Sequence, residues 1–531
     1  MRADPWSAQR PTGPFDTVVV GSGMGGMTAA AMLAHLGERV LVLEQHDVPG
    51  GFTHTFRRKQ WRWDVGVHAV GEVTEHAMTG RLLARLTDGR LRWASLGPVY
   101  DRFRYPDGVR VDFPDRPDAF RAALLAAFPG ERRAIDDYLA LVRDVAGSMK
   151  SHYLARVLPP GLGRIGDAVL ARRARAHLAT RTADVIAGLT DDPRLRAVLV
   201  AQWGYYGSPP SRSSFAMQAL VTKHFLWGGY YPVGGSAAIA RGLLGAVAAR
   251  GGATCVNADV AAIELDRGRV AGVRLAAGEV VRARRVVSAV GVQSTIERLL
   301  PAELRDAPWA RPVRALRPAA AHVCLYLGFD GDVRAVGATA ANLWLYDGWD
   351  PEVEVWDVAP ERPVPRAPVL YVSFPSLKDP EHPATAPHTG EVVTFVPYEV
   401  FTRWREARWH KRGAEYEAFK ATLTEQLLTQ LEAALPGIRS HVRWAELSTP
   451  LSTEHFTRPM RGSIYGLEPT PERFAVEALR PRAPIPGLFF AGSEVVSVGV
   501  VGAMMGGVLA ALAAEPRGAL SLVARAARAP R

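Results

Sequence analysis

The sequence predicts an α/β protein in which a Rossmann-like domain is interleaved with an α+β domain. Three observations point there. The β-branched run Thr17–Val20 enters a glycine-rich turn, an apolar helical segment and a second apolar strand follow at once, and an acid closes that strand. With 531 residues the chain is long enough for two or more lobes around sizeable cores. Hydrophobic residues at 48% and charged residues at 22% describe a globular protein and exclude a disordered or collagen-like one. Cys255 and Cys324 are the only cysteines, too few for a disulfide framework, a thiolate metal site or an iron–sulfur cluster.

The first βαβ unit carries the chemistry. In Gly21-Ser-Gly23-Met-Gly-Gly26, Gly21 permits the tight turn, Gly23 lets the backbone approach a pyrophosphate, and Gly26 lets helix and strand pack closely. The helix N-terminus then favours the anion. The helix is expected over Met27–Leu36, with Gly37 as its stop and Arg39–Leu43 as the second strand. Glu44, 18 residues after Gly26, is placed to accept both hydroxyls of an adenosine ribose. A dinucleotide is therefore expected. A second glycine pair, Gly50-Gly51, follows the acid and would let the chain pass close to the pyrophosphate and ribityl of a longer ligand. That selects FAD over NAD. No second GxGxxG sits in a βαβ unit, so no separate nicotinamide domain is expected and the electron donor or acceptor stays open.

Further motifs carry a resemblance. Gly50-Gly-Phe-Thr-His-Thr-Phe56 is followed by Trp63-Asp64-Val-Gly66-Val-His68, and the centre of the chain has Gln202-Trp203-Gly204 and Gly228-Gly229-Tyr-Tyr231-Pro232-Val-Gly234-Gly235-Ser236. Near the C-terminus stand Arg461-Gly462-Ser-Ile-Tyr465-Gly466, Ala491-Gly492-Ser493-Glu494 and Gly499-Val-Val-Gly502. Together these resemble the FAD-dependent phytoene desaturase superfamily, in its carotenoid isomerase and retinol saturase branch, over nearly the whole chain. Ser493-Glu494 stands where the wider superfamily has an aspartate, and Ser497-Val498 where carotenoid desaturases usually carry proline and glycine. The departure leans toward the saturases.

The resemblance implies an amine-oxidase-like flavoprotein with a Rossmann-like FAD-binding domain. It would be built from residues 15–75, 225–310 and 470–515, with a substrate domain from 76–224 and 311–469 and flexible tails at 1–14 and 516–531. It places Asp64, Gly66 and His68 beside the isoalloxazine, Val260 against the adenine, and Gly492, Ser493, Glu494, Val500 and Gly502 along the ribityl and ring. A helix starting near Val500 would aim its free N–H groups at the flavin. For His68 the two readings are a polar contact to flavin or substrate and a hydrogen-bonded structural histidine. For Glu494 they are the ribityl or ring edge and a helix N-terminal acid. Both are candidate catalytic residues. Trp203, Tyr231, Trp344 and Tyr465 could line an apolar tunnel, but as lone aromatics they are expected mostly to pack.

In the remaining segments the periodicity predicts helices over Ala119–Ala127, Ile135–Val145, Ile239–Ala248 and Tyr416–Leu435. Strands are expected over Thr254–Val260, Arg285–Gly291, His322–Leu327, Val369–Phe374 and Val392–Pro397, and a surface loop over the Pro-rich 359–368.

The net charge of +11 comes almost wholly from arginine, with lysine at only six positions, and no nucleic-acid motif accompanies it, so nucleic acid is not an expected partner. Seven Lys/Arg lie between Lys150 and Arg181 against one acid, Asp167, interleaved with apolar residues. This stretch, 150–181, is either a solvated helix or a peripheral membrane contact. No secretory signal or membrane span is visible, and the expected location is cytoplasmic, with the inner membrane face as an alternative. Metal-ligand spacing and a G-x-S-x-G elbow are absent, so metalloenzyme and hydrolase readings fall away. The expected activity is FAD-dependent saturation, desaturation or cis/trans isomerisation of a lipophilic polyene. An amine-oxidase-like flavoenzyme and a non-catalytic flavin-binding membrane protein are the alternatives.

Overall fold

The computed structural model describes residues 4–11, 13–157, 171–353 and 355–528. Five short strands form a parallel sheet in the spatial order Leu488–Phe490, Arg285–Ser288, Thr17–Val20, Val40–Leu43, Ala253–Cys255. Apart from a few positions they are buried apolar residues, as a sheet covered on both faces requires. The chain runs outward from Thr17–Val20 through the next two strands, then returns to add the other two on the opposite side. The direction of winding thus reverses between Thr17–Val20 and Arg285–Ser288, and the crevice beyond their C-terminal ends is where such a sheet receives a ligand. Gly21 occupies that edge.

The helix Met24–His35 is buried along nearly its whole length, because the helix Gly499–Ala514 packs directly on its backbone. A β-carbon on Gly507 would stand 2.2 Å from the Gly25 carbonyl oxygen, so only glycine permits this approach.

The second sheet has seven strands in the order Val442–Ser448, Ala321–Phe329, Thr389–Val396, Val369–Ser373, Asn342–Tyr346, Val99–Arg104, Arg110–Pro114. All neighbours are antiparallel except Asn342–Tyr346 with Val99–Arg104. Alternation sorts its faces. Leu343, Leu370, Val372 and Val392 pack with Phe419, Leu423 and Leu427 of the helix Ala414–Ala434. Trp344, Tyr371 and Phe395 point the other way, into a cluster shared with Tyr138 and Val142 of the helix Arg132–Val157.

Several expectations are corrected. The stretch Thr254–Val260 is not one strand: Ala253–Cys255 closes the parallel sheet, and Val260–Asp266 opens a separate three-stranded sheet. Asn257, in the left-handed region at φ 53°, breaks the chain between them. Residues 516–527 are not a flexible tail. Pro516–Ala527 is a helix that buries Ala519, Leu522 and Ala526, and the Ala526 carbonyl accepts Arg81 Nε at 2.8 Å. At the other end the Ser7 amide donates to the Thr254 carbonyl, 3.1 Å. Within the basic stretch, residues 158–170, with Arg164 and Asp167, lie outside the described residues. The helices Arg132–Val157 and Arg172–Ala179 flank them.

Candidate active site

Two cavities matter here, and the glycine-rich turn lines the smaller. The smaller, about 290 Å³, is lined by Gly21, Glu44, His46, Gly51, His54, Val260 and Val290 at the C-terminal ends of the parallel strands. Gly21 is left-handed at φ 90°, and a β-carbon on Gly26 would fall 2.1 Å from the Gly21 carbonyl oxygen, so the turn and the close packing both demand glycine. A β-carbon on Gly23 would meet nothing within 4 Å, and the same holds for Gly492 and Gly499, so these backbones border open space. Gly51, at φ 54°, brings the second glycine pair to Gly23, and the Gly50 amide donates to Ser22 Oγ at 2.9 Å. Glu44 accepts the Ser22 amide at 2.9 Å and its hydroxyl at 2.5 Å, which fixes the acid to the turn. A pocket bordered by Glu44, an open glycine seam and the start of a helix thus follow one another, and the residues fit an extended FAD.

The larger cavity, about 490 Å³, begins where that seam ends. Phe52, Gly66, His68, Ser497, Val500 and Gly502 line it on the side of the glycine-rich turn, and Tyr205, Trp344, Tyr371, Phe395 and Tyr465 on the side of the seven-stranded sheet. Met149, Tyr153, Val508, Leu512, Leu520 and Val523 continue it toward the surface. Leu520 is 56% exposed, so the cavity opens beside the helix Pro516–Ala527. Glu72 is the one carboxylate lining it among the described residues, and it is paired with Lys223.

Behind His68 lies a buried polar cluster. His68 Nδ1 is 2.8 Å from Glu391 Oε2, and Glu391 Oε1 accepts the Asp64 amide at 3.1 Å. Lys378 Nζ donates to the His68 carbonyl at 2.7 Å, to Asn342 Oδ1 at 2.5 Å and to Ser373 Oγ at 2.7 Å. Asp101 accepts Tyr205 Oη at 2.7 Å, Asn342 Nδ2 at 2.9 Å and Gln202 Nε2 at 3.0 Å. Burial governs the protonation of His68, Lys378 and Glu391. With the Lys378 charge second, it holds the His68 imidazole down to about 3, and it draws the Lys378 ammonium down to about 7. Burial, then the Asp64 charge, pushes the Glu391 carboxyl well above the carboxylate range. His322, which also lines the cavity, has a buried Nδ1 with no hydrogen-bond partner, and burial lowers its imidazole to about 4.

Twelve of the fifteen sequence-predicted residues fall into three groups. Gly21, Glu44, Gly51 and Val260 line the smaller cavity; Gly66, His68, Val500 and Gly502 line the larger; Gly23, Gly26, Gly50 and Gly492 belong to the turn and seam. The other three serve the scaffold. Asp64 lines neither cavity: its carboxylate accepts the Ser236 amide at 3.0 Å, the Ser236 hydroxyl at 2.6 Å and the Tyr231 hydroxyl, anchoring the start of the helix Ala237–Ala248. Glu494 also lines neither, and its Oε2 accepts the Val292 amide at 2.6 Å and the Gln293 amide at 3.3 Å beside the buried Arg473. The two amides open the short helix Val292–Ser294. Ser493 offers its carbonyl to Arg473 Nη2 at 2.5 Å. Of the four aromatics, Trp344 and Tyr465 line the larger cavity, while Trp203 and Tyr231 are core. Lys378, Glu391, His322, Asn342 and Asp101 were not foreseen.

Residues 24–514 match the family described as flavin containing amine oxidoreductase. The chain belongs to that family. It is an FAD-dependent oxidoreductase. Among its relatives, the all-trans-retinol 13,14-reductase of Danio rerio is 31% identical over 519 residues, covering 94% of this chain and 86% of the relative. A neurosporene-forming phytoene desaturase of Cereibacter sphaeroides is 27% identical over 466 residues, covering 85% of each. The solved cyclohexylamine oxidase of Brevibacterium oxydans has the same fold, with a TM-score of 0.59 at 18% identity, over 97% of this chain and 100% of that one. Among the described residues no helix is long and apolar enough to cross a membrane.

Proposed function

We propose that this chain adds hydrogen across, or removes it from, a carbon–carbon bond of a lipophilic polyene of retinoid or carotenoid type, saturation being the favoured direction. The observation that carries the reading is the larger cavity. It is mostly apolar and aromatic, runs from the Gly499 turn to the surface, and has His68 at its inner end. Bound FAD supplies the two-electron chemistry. Gly21, Gly23, Gly26 and Glu44 would hold its adenosine and pyrophosphate, and Gly66, Val500 and Gly502 would border its ring. Trp344, Tyr371, Phe395 and Tyr465 orient a long unsaturated chain by area and shape and exclude water from it. His68 stands at the inner end as the polar contact to the reacting region. A polar amine finds no free carboxylate there, since Glu72 is taken by Lys223.

The reaction follows from anaerobic incubation of all-trans-retinol and carotenoids with the reduced and the oxidised holoenzyme and mass analysis of the products. A gain of two hydrogens identifies a saturase, a loss of two a desaturase, and a new isomer of equal mass an isomerase. Unchanged polyenes with peroxide released from amines would overturn the reading.

Peripheral membrane contact belongs to the same proposal. Lys150, Tyr153 and Val157 of the 150–181 stretch line the cavity near the exposed Leu520, where an apolar substrate would leave a bilayer. Sedimentation with anionic vesicles, lost on Leu520→Glu, is the expected result; equal sedimentation of both forms overturns it.

A further inference from the structure

A buried carboxyl reaches the inner end of the larger cavity through a single imidazole. Glu391 is fully buried on the strand Thr389–Val396 and does not line the cavity, whereas His68 does. Glu391 Oε2 and His68 Nδ1 lie 2.8 Å apart, out of line for a hydrogen bond, and neither atom has another partner, so the two buried atoms face each other alone; the Asp64 amide on Oε1 fixes the carboxyl from the strand Trp61–Asp64. Lys378 fixes the other side by donating to the His68 carbonyl at 2.7 Å, and the ring packs edge-on against Tyr371 with centroids 5.2 Å apart. The imidazole is thus held between a proton-bearing group and the space where substrate lies.

Saturation of a carbon–carbon double bond adds a hydride to one carbon and a proton to the other. With reduced flavin as the source of the hydride, the proton must come from the protein, because the lining offers water few partners. We propose that His68 gives this proton from Nε2 to the second carbon while Glu391 replaces it at Nδ1, so that the pair acts as one general acid. The balance closes: the two carbons gain a hydride and a proton, the flavin is oxidised by two electrons, the imidazole ends neutral with its proton on Nδ1, and Glu391 is left as a carboxylate facing Lys378. Burial keeps the Glu391 carboxyl protonated and the His68 ring uncharged, which is the starting state that the relay needs. His68 is the catalytic residue and Glu391 a positioning residue acting through it. The inference rests on the polyene reading above.

The test uses the FAD-loaded enzyme and two variants, Glu391→Gln and His68→Gln. Infrared difference spectra are expected to show the carbonyl stretch of a protonated carboxyl in the wild type, absent from E391Q and shifted in H68Q. With all-trans-retinol and dithionite-reduced enzyme, kcat falls about 100-fold in either variant, the scale of general acid catalysis, while KM stays within about twofold. If E391Q loses its flavin absorbance, H68Q at the cavity wall carries the same comparison. A wild-type spectrum without the Glu391 band, or kcat in the variants within about threefold of wild type, overturns the relay. Wild-type enzyme that leaves every polyene unchanged overturns the function proposed above, and the relay with it.

Discussion

A β-carbon added to Gly26 would sit 2.1 Å from the carbonyl oxygen of Gly21, while one added to Gly23, three residues earlier, would meet nothing within 4 Å. The two glycines of one motif are therefore required for different reasons. Gly26→Ala drives an atom into backbone and should cost about 1–3 kcal/mol of stability. Gly23→Ala leaves the fold within about 0.5 kcal/mol of wild type, since its φ of −63° suits any residue. It does fill the approach to the pyrophosphate, so FAD retention should drop about tenfold or more. Denaturant midpoints of the apoproteins, with FAD titration followed by flavin fluorescence, separate the two outcomes.

Glu494 makes its contacts with protein rather than with either cavity. Its carboxylate lies between the Val292 and Gln293 amides and the buried Arg473, whose guanidinium also serves the Leu467 and Ser493 carbonyls. Glu494→Ala would leave the buried Val292 and Gln293 amides without their acceptor and remove the charge that faces Arg473, at a cost of about 1–3 kcal/mol. Glu494→Gln, which can still accept from the amides, should lose less. The visible flavin spectrum should move little in either. A large spectral shift with unchanged stability would return Glu494 to the ring edge.

How much of this was legible in the sequence depends on spacing along the chain. The turn Gly21–Gly26, the acid Glu44 and the pair Gly50-Gly51 fall within about thirty residues and act through backbone geometry, which a local pattern encodes. The cluster behind His68 draws Asp101, Asn342, Lys378 and Glu391 from strands and turns hundreds of residues apart, joined only once the seven-stranded sheet forms. The usable signal was a single titratable residue inside an apolar run. Glu391 in Gly390-Glu-Val-Val and His322 in Ala321-His-Val-Cys are such residues, and a strand buried on both faces pays to keep them. Asp64 was legible as important but not as to why, because Ser236 and Tyr231 arrive from another segment.

Five buried imidazoles make the protein acid-sensitive. Burial lowers His54 and His322 to about 4, and His68, His152 and His224 to about 3, from an ordinary 6.5. Between those values the unfolded chain binds protons that the native chain lacks. Stability therefore falls as pH drops from 6.5 toward 4 and is constant in this respect above 6.5, where both states are neutral. Each group contributes up to about 1.4 kcal/mol per pH unit in that window. Urea midpoints measured from pH 7.5 to 4.5 should show the decline, and His152→Gln should flatten it by one group's share. A pH-independent midpoint would mean that these imidazoles are solvated.

The larger cavity sets which chain lengths fit. Leu220 lines it from the helix Phe215–Phe225 and packs beside the aromatic cluster, away from the FAD seam. Leu220→Trp narrows the channel without touching His68 or the glycine turn, so FAD binding and the reaction at the inner end are preserved. A chain that must extend past position 220 loses contact area and orientation, whereas a shorter one does not. KM for all-trans-retinol should rise about tenfold, the scale that misfit in an apolar pocket produces. Turnover of a truncated analogue should stay within about twofold of wild type. Equal losses for both chain lengths would mean that the substrate enters by another route and that the cavity from Leu220 to Leu520 serves some purpose other than holding it.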